Sequence, residues 1–562
     1  MTHCIGLASL SFLLVLTRFG QAADEPPYDL VLRQGKIVDG TGNPWFVGDV
    51  AMRGDRIVAV GRSLPGPARR EIDVRGLVVA PGFIDMHSHS DYLLLEDGTA
   101  PSKIRQGVTT EVLGEGQSVG PYKGQLSART ATVNGKSVQW TTVAGYLDTI
   151  DRAGVSVNVA TYVGLDNIWQ SVMGHSFERP TPAQREQMRS LLDEALKDGA
   201  FGLSSLLAQP PGLLATTDDI VELCRVVAKH HGIYSSHIRN EGTEVLAAVQ
   251  EAITIGERAG IPVDVIHLKI ADQKLWGRMN ELVALIDAAR KRGVNVQANV
   301  YPYTRGNNNL SSIIPPWAHE GGTAKLLERL KDAKQRARLK KEIRDGLPGW
   351  YNHYTAVGGD WQRMLISGKG GYAGLTMDRI IAAKSKDKNP APDPLDVFFD
   401  LLIEEGGSVP TVYEHHTEKD MNLALVQPWC SIGSDGSAYA TEGPLRQGNP
   451  HPRNFGTFPR VLGVYVRQRG LLRLEDAIRK MTSLNAAKIG ILERGLLRSG
   501  QYADVTIFDA ERVVDKSTYT EPFQYSEGIE YVIVNGQLVL ERGKHLGVKS
   551  GRALRHRLPP AP

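Results

Sequence analysis

Cysteine is scarce in this chain of 562 residues, which contains only three. Cys4 lies in an apolar N-terminal segment. Cys224 and Cys430 lie in apolar surroundings, where a thiol is most often a small buried hydrophobe. No Cys-x-x-Cys pair occurs. The sequence therefore excludes a disulfide framework and a cysteine-rich metal knuckle.

The chain also lacks an excess of charge of either sign. Its 65 Lys and Arg residues against 62 Asp and Glu residues leave a formal charge of +3, with no long basic run. We therefore expect no nucleic-acid partner. The length is too great for one ordinary core, which predicts a large catalytic domain with one or two smaller pieces.

Long apolar runs are missing after the first two dozen residues, so we expect the mature protein to have no membrane contact. Residues 5–16 are apolar or small but too few to span a bilayer comfortably, and Gly20-Gln21-Ala22 suits a signal peptidase. We predict a cleavable signal peptide over residues 1–22 and a secreted or periplasmic protein, although the first residues carry no Lys or Arg. The alternative is an N-terminal core strand.

The middle of the chain differs from its ends. Short alternating strands fill residues 28–80 and 490–550, which predicts one small β-sandwich domain built from both termini. Over residues 81–489, strand-like and helix-like segments alternate, which indicates a parallel sheet. Eight strands, the number that closes a (β/α)8 TIM barrel, are predicted. They are the strand before His87 and residues 108–113, 155–163, 200–206, 232–237, 263–268, 294–301 and 430–434.

One stretch breaks this alternation between the seventh and eighth strands. Residues 306–410 are rich in Lys, Arg, Gly and Trp and are too many for an unstructured connection. We predict an inserted subdomain or lid over the active face of the barrel.

The predicted first barrel strand ends in two histidines, His87 and His89. Residues i and i+2 of a strand point to the same side, so both imidazoles aim beyond its C-terminal end. Two converging neutral imidazoles suit a borderline-soft divalent metal such as zinc. For an isolated His-x-His, a pair of loop histidines is the alternative, so the prediction depends on the other strand ends.

Metal-binding or ionisable residues follow most of the other predicted strands, where barrel active sites lie. These residues are Glu115, His237, His267, Lys269, Tyr301 and Asp435. Taken alone, His237 is equally compatible with a satisfied core histidine, and Asp435 with an ordinary Asx-turn. Together they predict a metal centre.

Several motifs resemble a known family. They are Pro-Gly-Phe-Ile-Asp-Met-His-Ser-His at 81–89, Gly-Val-Thr-Thr at 107–110, Ser-His-Ile-Arg-Asn-Glu at 236–241, Gly-Ser-Asp-Gly at 433–436 and His-Pro-Arg-Asn-Phe-Gly-Thr-Phe-Pro-Arg at 451–460. They resemble the amidohydrolase superfamily and, more narrowly, the N-acyl-D-amino-acid deacylase (D-aminoacylase) family. The likeness extends over about residues 28–554, and the His-Pro-Arg motif is its most specific part.

The resemblance implies a metal-bearing (β/α)8 barrel beside a small β-sandwich. It implies a hydrolase that uses one or two zinc ions to cleave N-acyl-D-amino acids, which are small molecules, into a carboxylate and a free D-amino acid. Asp435 is implied as the general base, and Lys269, Tyr301 and Arg453 as the residues that hold the substrate's α-carboxylate. The family's metal residues carry over onto His87, His89, His237, His267 and Asp435.

The chain departs from the family at a few positions. The family has a zinc-ligating cysteine where this chain has Gly114-Glu115-Gly116. We predict Glu115 as the replacement, because a carboxylate binds zinc, and a harder ligand makes manganese or cobalt more tolerable. A Gly-His segment is Gly164-Leu165 here, a tyrosine is Gln209 and a serine is Asn307. These positions shape the acyl and side-chain pockets, so the substrate within the class stays open.

Two alternatives remain at this point. The first is an amidohydrolase that acts on another amide, such as a D-residue-containing peptide or a cyclic amide. The second is a catalytically inactive barrel that serves as a binding protein, which would be expected to have gaps among the ligands. The exchange at Glu115 is the one such departure. A dihydropyrimidinase-like enzyme fits the His-x-His but not the His-Pro-Arg motif.

Overall fold

Strands from both ends of the chain lie in one nine-stranded sheet in the computed structural model, which describes residues 1–2 and 27–557. Val505–Phe508 pairs antiparallel with Val78–Pro81 and so joins the C-terminal strands to the N-terminal ones. The other strands are Tyr28–Ile37, Phe46–Arg53, Arg56–Gly61, Ala68–Asp73, Ile529–Val534, Gln537–Glu541 and Lys544–His545. Except for its first two positions, the predicted signal peptide lies outside the described residues.

Eight parallel strands form the predicted barrel. The third strand is interrupted at Tyr162, so it pairs with the second strand before the break and with the fourth strand after it. The backbone N–H of Asp435 donates to the His87 carbonyl (2.8 Å) and that of His89 to the Gly436 carbonyl (2.9 Å), which joins the eighth strand to the first. The strands are Phe83–Asp85, Val108–Leu113, Asn158–Thr161 with Val163–Gly164, Gly202–Leu206, Ile233–His237, Val263–Val265, Val296–Val300 and Cys430–Ile432.

Helices alternate with the strands and cover the barrel. Pro182–Lys197 begins at a capping box in which the Thr181 hydroxyl accepts from the Gln184 N–H and the Gln184 side chain accepts from the Thr181 N–H. The other main helices are Val143–Ala153, Leu165–Met173, Thr217–Lys229, Val245–Ala259, Met279–Lys291, Glu418–Leu425, Arg453–Arg460, Leu474–Met481 and Ser483–Ile489. Among the described residues, no helix has the length and apolar character needed to cross a membrane.

The segment between barrel strands 7 and 8 has a core of its own. Gly306–Asn309, Met364–Ile366 and Pro410–Tyr413 form an antiparallel sheet. The helices Gly322–Lys331, Ala333–Asp345, Met377–Ser385 and Pro394–Glu404 bury their apolar side chains in a hydrophobic cluster with this sheet. Such a core explains how a connection of this length stays ordered. Its action as a lid, and the domain limits given above, stay predictions.

The predicted strands agree with the structure in number, but several are shorter than predicted. The strand at 108–113 matches, whereas the strand predicted at 263–268 ends at Val265. His267 has a left-handed backbone (φ 39°), which a strand does not accommodate. Instead, the N–H of His267 donates to the Asn299 side chain (3.0 Å) and that of Leu268 to the Asn299 carbonyl (2.8 Å).

Candidate metal centre and active site

A buried lysine fixes the turn that carries His87 and His89. Lys103 is fully buried, and its ammonium donates to the Asp85 carboxylate (2.7 Å) and to the Gly436 carbonyl (3.1 Å). The same carboxylate accepts from the Ser434 N–H (2.7 Å). These bonds attach the end of the first strand to the end of the eighth, which brings the histidine pair next to Asp435.

Glu115 is held between two glycines with left-handed backbones. Gly114 has φ 95° and Gly116 has φ 60°. A Cβ atom on Gly114 would lie 2.6 Å from the Tyr162 carbonyl oxygen, and one on Gly116 would lie 2.6 Å from Leu206 Cβ. Because no other residue fits this turn without strain, the Gly-Glu-Gly sequence presents the carboxylate at the barrel mouth.

Four side chains form what we call the open group: His87, His89, Asp435 and Glu115, whose candidate ligand atoms all lie within 4.8 Å of one another. Glu115 Oε2 is 2.6 Å from His87 Nε2 and 3.0 Å from His89 Nε2. Asp435 Oδ1 is 3.0 Å from His89 Nε2. The side chain of His89 is 39% exposed, whereas those of His87, Glu115 and Asp435 are 4%, 8% and 8% exposed, so this group reaches the solvent through His89.

Three side chains form what we call the buried group: Glu115, His237 and His267. Glu115 Oε1 lies 2.7 Å from His237 Nδ1, and that nitrogen lies 3.1 Å from His267 Nε2. The two histidine side chains are only 8% and 4% exposed. Glu115 thus belongs to both groups and offers a different oxygen atom to each.

The charge of the two groups favours a bound cation. Burial lowers the pKa of His89, but the hydrogen bonds of this ring to Asp435 and Glu115 outweigh it and raise the pKa to about 10. Burial and Lys269 lower the pKa of His267, but Glu241 and Glu115 outweigh them and raise it to about 9. Burial raises the pKa of Glu115, but His87 and His237 hold it well below its usual range. In each group, the carboxylates therefore stabilise a nearby positive charge, either a histidine proton or a bound cation.

The residues present fit a divalent metal. Histidine nitrogens and carboxylate oxygens are the ligands that zinc accepts, and they converge here from five strand ends. The two carboxylates offset the charge of a divalent ion, as they offset histidine protons without one. His267 and Asp435 both adopt left-handed backbones (φ 39° and 51°), an uncommon conformation that occurs at functional sites.

The predicted substrate-binding residues lie beside these groups, and Arg453 and Lys269 are paired with protein carboxylates. Arg453 Nη1 donates to Asp435 Oδ2 (2.7 Å), and its guanidinium lies 4.9 Å from the centre of the Tyr301 ring. In the described part of the chain, the buried Tyr301 hydroxyl has no hydrogen-bond partner. Lys269 donates to Glu241 (2.5 Å). Their contact with a substrate carboxylate stays a prediction.

A cavity of about 390 Å³ opens above the candidate metal ligands. Its floor includes His89, Glu115, His237, His267 and Asp435, and Arg453 lies in its wall. The segment between barrel strands 7 and 8 contributes to the lining with Asn307, Asn308, Ser367, Lys369 and Pro410. That segment therefore shapes the space next to the predicted metal centre.

The positions that depart from the family have different surroundings. Asn307 lines the cavity and accepts a hydrogen bond from Ser367 (2.8 Å). Gln209 donates to Asn308 (3.1 Å), which also lines the cavity. Leu165 is fully buried in the hydrophobic core. Asn307 and Gln209 thus act on the pocket directly or through one neighbour, whereas Leu165 packs in the core.

Sequence reasoning missed three polar residues of the site. Glu241 was part of a motif without a role, although its position four residues after His237 was visible. Lys103 carried no signal at all in the sequence. His451 accepts a hydrogen bond from the Arg453 N–H (3.0 Å), and its ring lies 6.3 Å from that of Tyr301. All three hold the predicted residues in place without belonging to the candidate ligand set.

Sequence comparisons with known proteins indicate one family. The amidohydrolase family model matches residues 70–338 and 431–540. The D-aminoacylase of Alcaligenes xylosoxydans xylosoxydans is 34% identical over 95% of this chain and 98% of its own length, and the N-acyl-D-glutamate deacylase of that organism is 33% identical over 94% and 96%.

A solved structure extends the likeness to the whole fold. The N-acyl-D-glutamate deacylase from Bordetella bronchiseptica, in complex with zinc and a phosphonate mimic of the tetrahedral intermediate, has a TM-score of 0.76 and 31% identity. The alignment covers 94% of this chain and 99% of that one. The predicted resemblance and the predicted (β/α)8 barrel are thereby confirmed. The chain belongs to the amidohydrolase family and, within it, to the N-acyl-D-amino-acid deacylases.

Proposed function

We propose that this protein is a metal-dependent hydrolase that cleaves the amide bond of N-acyl-D-amino acids to a carboxylate and a free D-amino acid. The observation that carries the proposal is the shared Glu115, which faces the buried group with one oxygen and the open group with the other. The similarity, over nearly the whole chain, to D-aminoacylase, N-acyl-D-glutamate deacylase and N-acyl-D-aspartate deacylase supports the substrate class.

The metal would be held by the chain's own side chains. His237, His267 and Glu115 would hold the principal ion, and His87, His89 and Asp435 a second, weaker site. A divalent ion supplies Lewis-acid chemistry there, because it polarises an amide carbonyl and acidifies water. We propose zinc as the natural ion, which is the metal in the similar Bordetella bronchiseptica structure, and manganese or cobalt as tolerated substitutes.

Asp435 is the general base in this proposal. Burial raises the pKa of its carboxyl group, but Arg453 and His87 outweigh burial and hold the pKa low, so the group is ionised at neutral pH. The carboxylate is therefore able to accept a proton from the attacking water and to pass it to the departing amine. Its Oδ1 atom faces His89 and its Oδ2 atom faces Arg453, at the floor of the cavity.

Arg453, with Lys269 and Tyr301 behind it, would hold the substrate's α-carboxylate. A guanidinium offers two parallel N–H donors that match a carboxylate. The Arg453 Nε atom is buried and has no hydrogen-bond partner within residues 27–557, so a donor is available for such a contact. A carboxylate fixed on one side of the metal centre favours one enantiomer, and the family likeness indicates the D form.

The test is a paired assay on purified protein with measured metal content. N-acetyl-D-methionine and N-acetyl-L-methionine are compared with and without added zinc. We expect zinc-dependent release of D-methionine and little or no release of L-methionine. Preference for the L enantiomer, or turnover that survives complete metal removal, would contradict the proposal. Metal binding without hydrolysis across a screen of N-acyl-D-amino acids would favour the binding-protein alternative.

We also propose export, on the apolar run at residues 5–16 and the small residues that follow it. N-terminal sequencing of protein from the cell envelope fraction is expected to begin after Ala22. An intact N-terminus on cytoplasmic protein would contradict this proposal.

A further inference from the structure

Glu241 is a buried carboxylate behind the buried group. It lies four residues after His237, in the loop that follows the fifth barrel strand, and is 3% exposed. Three nitrogen atoms converge on it: Lys269 Nζ at 2.5 Å, His267 Nδ1 at 3.1 Å and His237 Nε2 at 3.8 Å. Glu241 is outside the lining of the cavity, so its partners are protein side chains.

The hydrogen positions on His267 follow from its two neighbours. A histidine nitrogen that ligates a metal offers its lone pair, so the other ring nitrogen carries the hydrogen. His267 Nε2 faces the buried group, which leaves the hydrogen on Nδ1. Lys269 Nζ is 2.9 Å from Nδ1, but an ammonium has donors only. Glu241 Oε1 is therefore the acceptor that His267 needs.

His237 is arranged in the opposite sense but meets the same carboxylate. Its Nδ1 atom faces Glu115 in the buried group, so Nε2 carries the hydrogen. Nε2 is buried and has no hydrogen-bond partner among the residues that the structure describes, and Glu241 Oε2 lies 3.8 Å away. A shift of about 1 Å would bring this pair to hydrogen-bonding distance. Each oxygen of Glu241 thus faces the outer nitrogen of one histidine.

We propose that Glu241 is a positioning residue that holds His237 and His267 in the tautomers that ligate a divalent ion, and holds Lys269 beside them. A carboxylate suits this place because both of its oxygen atoms are acceptors and they face all three nitrogens, whereas a neutral amide would present donors to at least one of them. The inference rests on the metal-dependent function proposed above and extends it to the residues behind the metal.

The test measures metal affinity, since an outer partner of this kind typically contributes 10- to 100-fold. We expect Glu241→Gln to bind Zn²⁺ about 10- to 100-fold more weakly than the wild type at the buried group, as measured by competition with a chromophoric chelator. Glu251→Gln is the matched control, because Glu251 pairs with Arg239 of the same motif, outside the metal centre, and should leave the affinity unchanged.

A second variant separates this role from simple neutralisation of Lys269. If Glu241 only balances the Lys269 charge, the double variant Glu241→Gln/Lys269→Met regains wild-type Zn²⁺ affinity. We expect the double variant to stay weak and Lys269→Met alone to bind Zn²⁺ normally. The double variant also removes the unpaired buried charge, so it serves as the test if Glu241→Gln does not fold.

The outcomes are distinct. Wild-type Zn²⁺ affinity in Glu241→Gln, or recovery in the double variant, would overturn the inference. Weak binding in both variants supports it. Because the readout is metal affinity, a wild-type protein that fails the N-acetyl-D-methionine assay would refute the proposed substrate and leave this result unaffected.

Discussion

The buried group and the open group share Glu115 but differ in what surrounds them. His237 and His267 are almost fully enclosed, with Glu241 and Lys269 behind them. In the open group, His89 is 39% exposed, although His87 and Asp435 are as enclosed as the two buried histidines. A site whose ligands are oriented from behind binds a cation more tightly than one that faces solvent. The comparison predicts that the buried group holds its ion more tightly, while both groups contribute residues to the cavity.

The largest expected effect is at Asp435, the residue that belongs to the open group and contacts Arg453. Asp435→Ala should lower kcat by about 10²- to 10⁴-fold, because it removes the proposed general base. The buried group is intact in this variant, so most of the bound metal should remain. The measurement is steady-state kinetics with metal analysis and circular dichroism. A loss below tenfold would assign the base elsewhere.

The difference between the groups is tested directly by two matched alanine variants. His237→Ala should release the tightly held ion and lower activity by about 100-fold or more, because a buried ligand is lost. His89→Ala should keep one ion equivalent after gel filtration and lose less activity. Metal content by mass spectrometry gives the answer. Equal metal loss in both variants would remove the distinction between the groups.

Arg453→Ala should chiefly raise KM for substrates with a free carboxylate. A hydrogen bond to a charged group contributes about 1.5–3 kcal/mol, which corresponds to a rise of about 10- to 100-fold. The control substrate is N-acetyl-D-methionine amide, which lacks the carboxylate and should be affected much less. An equal rise of KM on both substrates would refute the assigned contact, whereas a fall in kcat shared by both would reflect the lost hydrogen bond to Asp435.

Metal affinity should rise with pH. The pKa values of about 10 for His89 and about 9 for His267 mean that both rings are protonated at pH 7 in the metal-free protein. A metal must displace these protons, so affinity should increase about tenfold per pH unit for each proton displaced between pH 7 and 9. His89→Asn should reduce the slope for the open group alone. Chelator competition at pH 7, 8 and 9 measures the metal affinity. An affinity that does not change with pH would contradict the displacement of these protons.

The smallest expected effect is at Glu115. Glu115→Cys introduces the ligand that the family uses but replaces two carboxylate oxygens with one sulfur atom. The preference for Zn²⁺ over Mn²⁺ should therefore rise, on the order of tenfold, because a thiolate is the softer ligand. The open group should bind its ion more weakly, since it loses its contact with Glu115 Oε2. Competition between the two metals measures the first effect, and unchanged preference would exclude Glu115 as a ligand.

The sequence was sufficient for the barrel and for the residues that converge on its mouth. The strand ends are visible because apolar runs stop at polar residues such as His87 and His237, and parallel strands bring those ends together. The motifs then select one family among the metal-bearing barrels. The strand pattern and the family motifs both indicate a metal-bearing barrel. The strand predicted at 108–113 has the same bounds in the structure.

The supporting residues were not predictable in the same way. Glu241 and Lys103 act through tertiary contacts with neighbouring strand ends. The spacing of Glu241 from His237 shows its place without its partners, and no spacing marks Lys103. The early end of the sixth strand depends on Asn299, which binds the His267 N–H from a neighbouring strand. The contact of Arg453 with Asp435 is likewise tertiary, and a motif gives the residue type without its partner.

The closure of the barrel has a consequence for how the protein comes apart. Two of the bonds that close the ring are backbone hydrogen bonds from Asp435 to His87 and from His89 to Gly436, so three of the candidate ligands take part in its closure. Opening the ring would pull these ligands away from one another. Cation release should then coincide with opening of the barrel between its first and eighth strands. A circular permutation that places new chain ends there would abolish barrel closure and cation binding together.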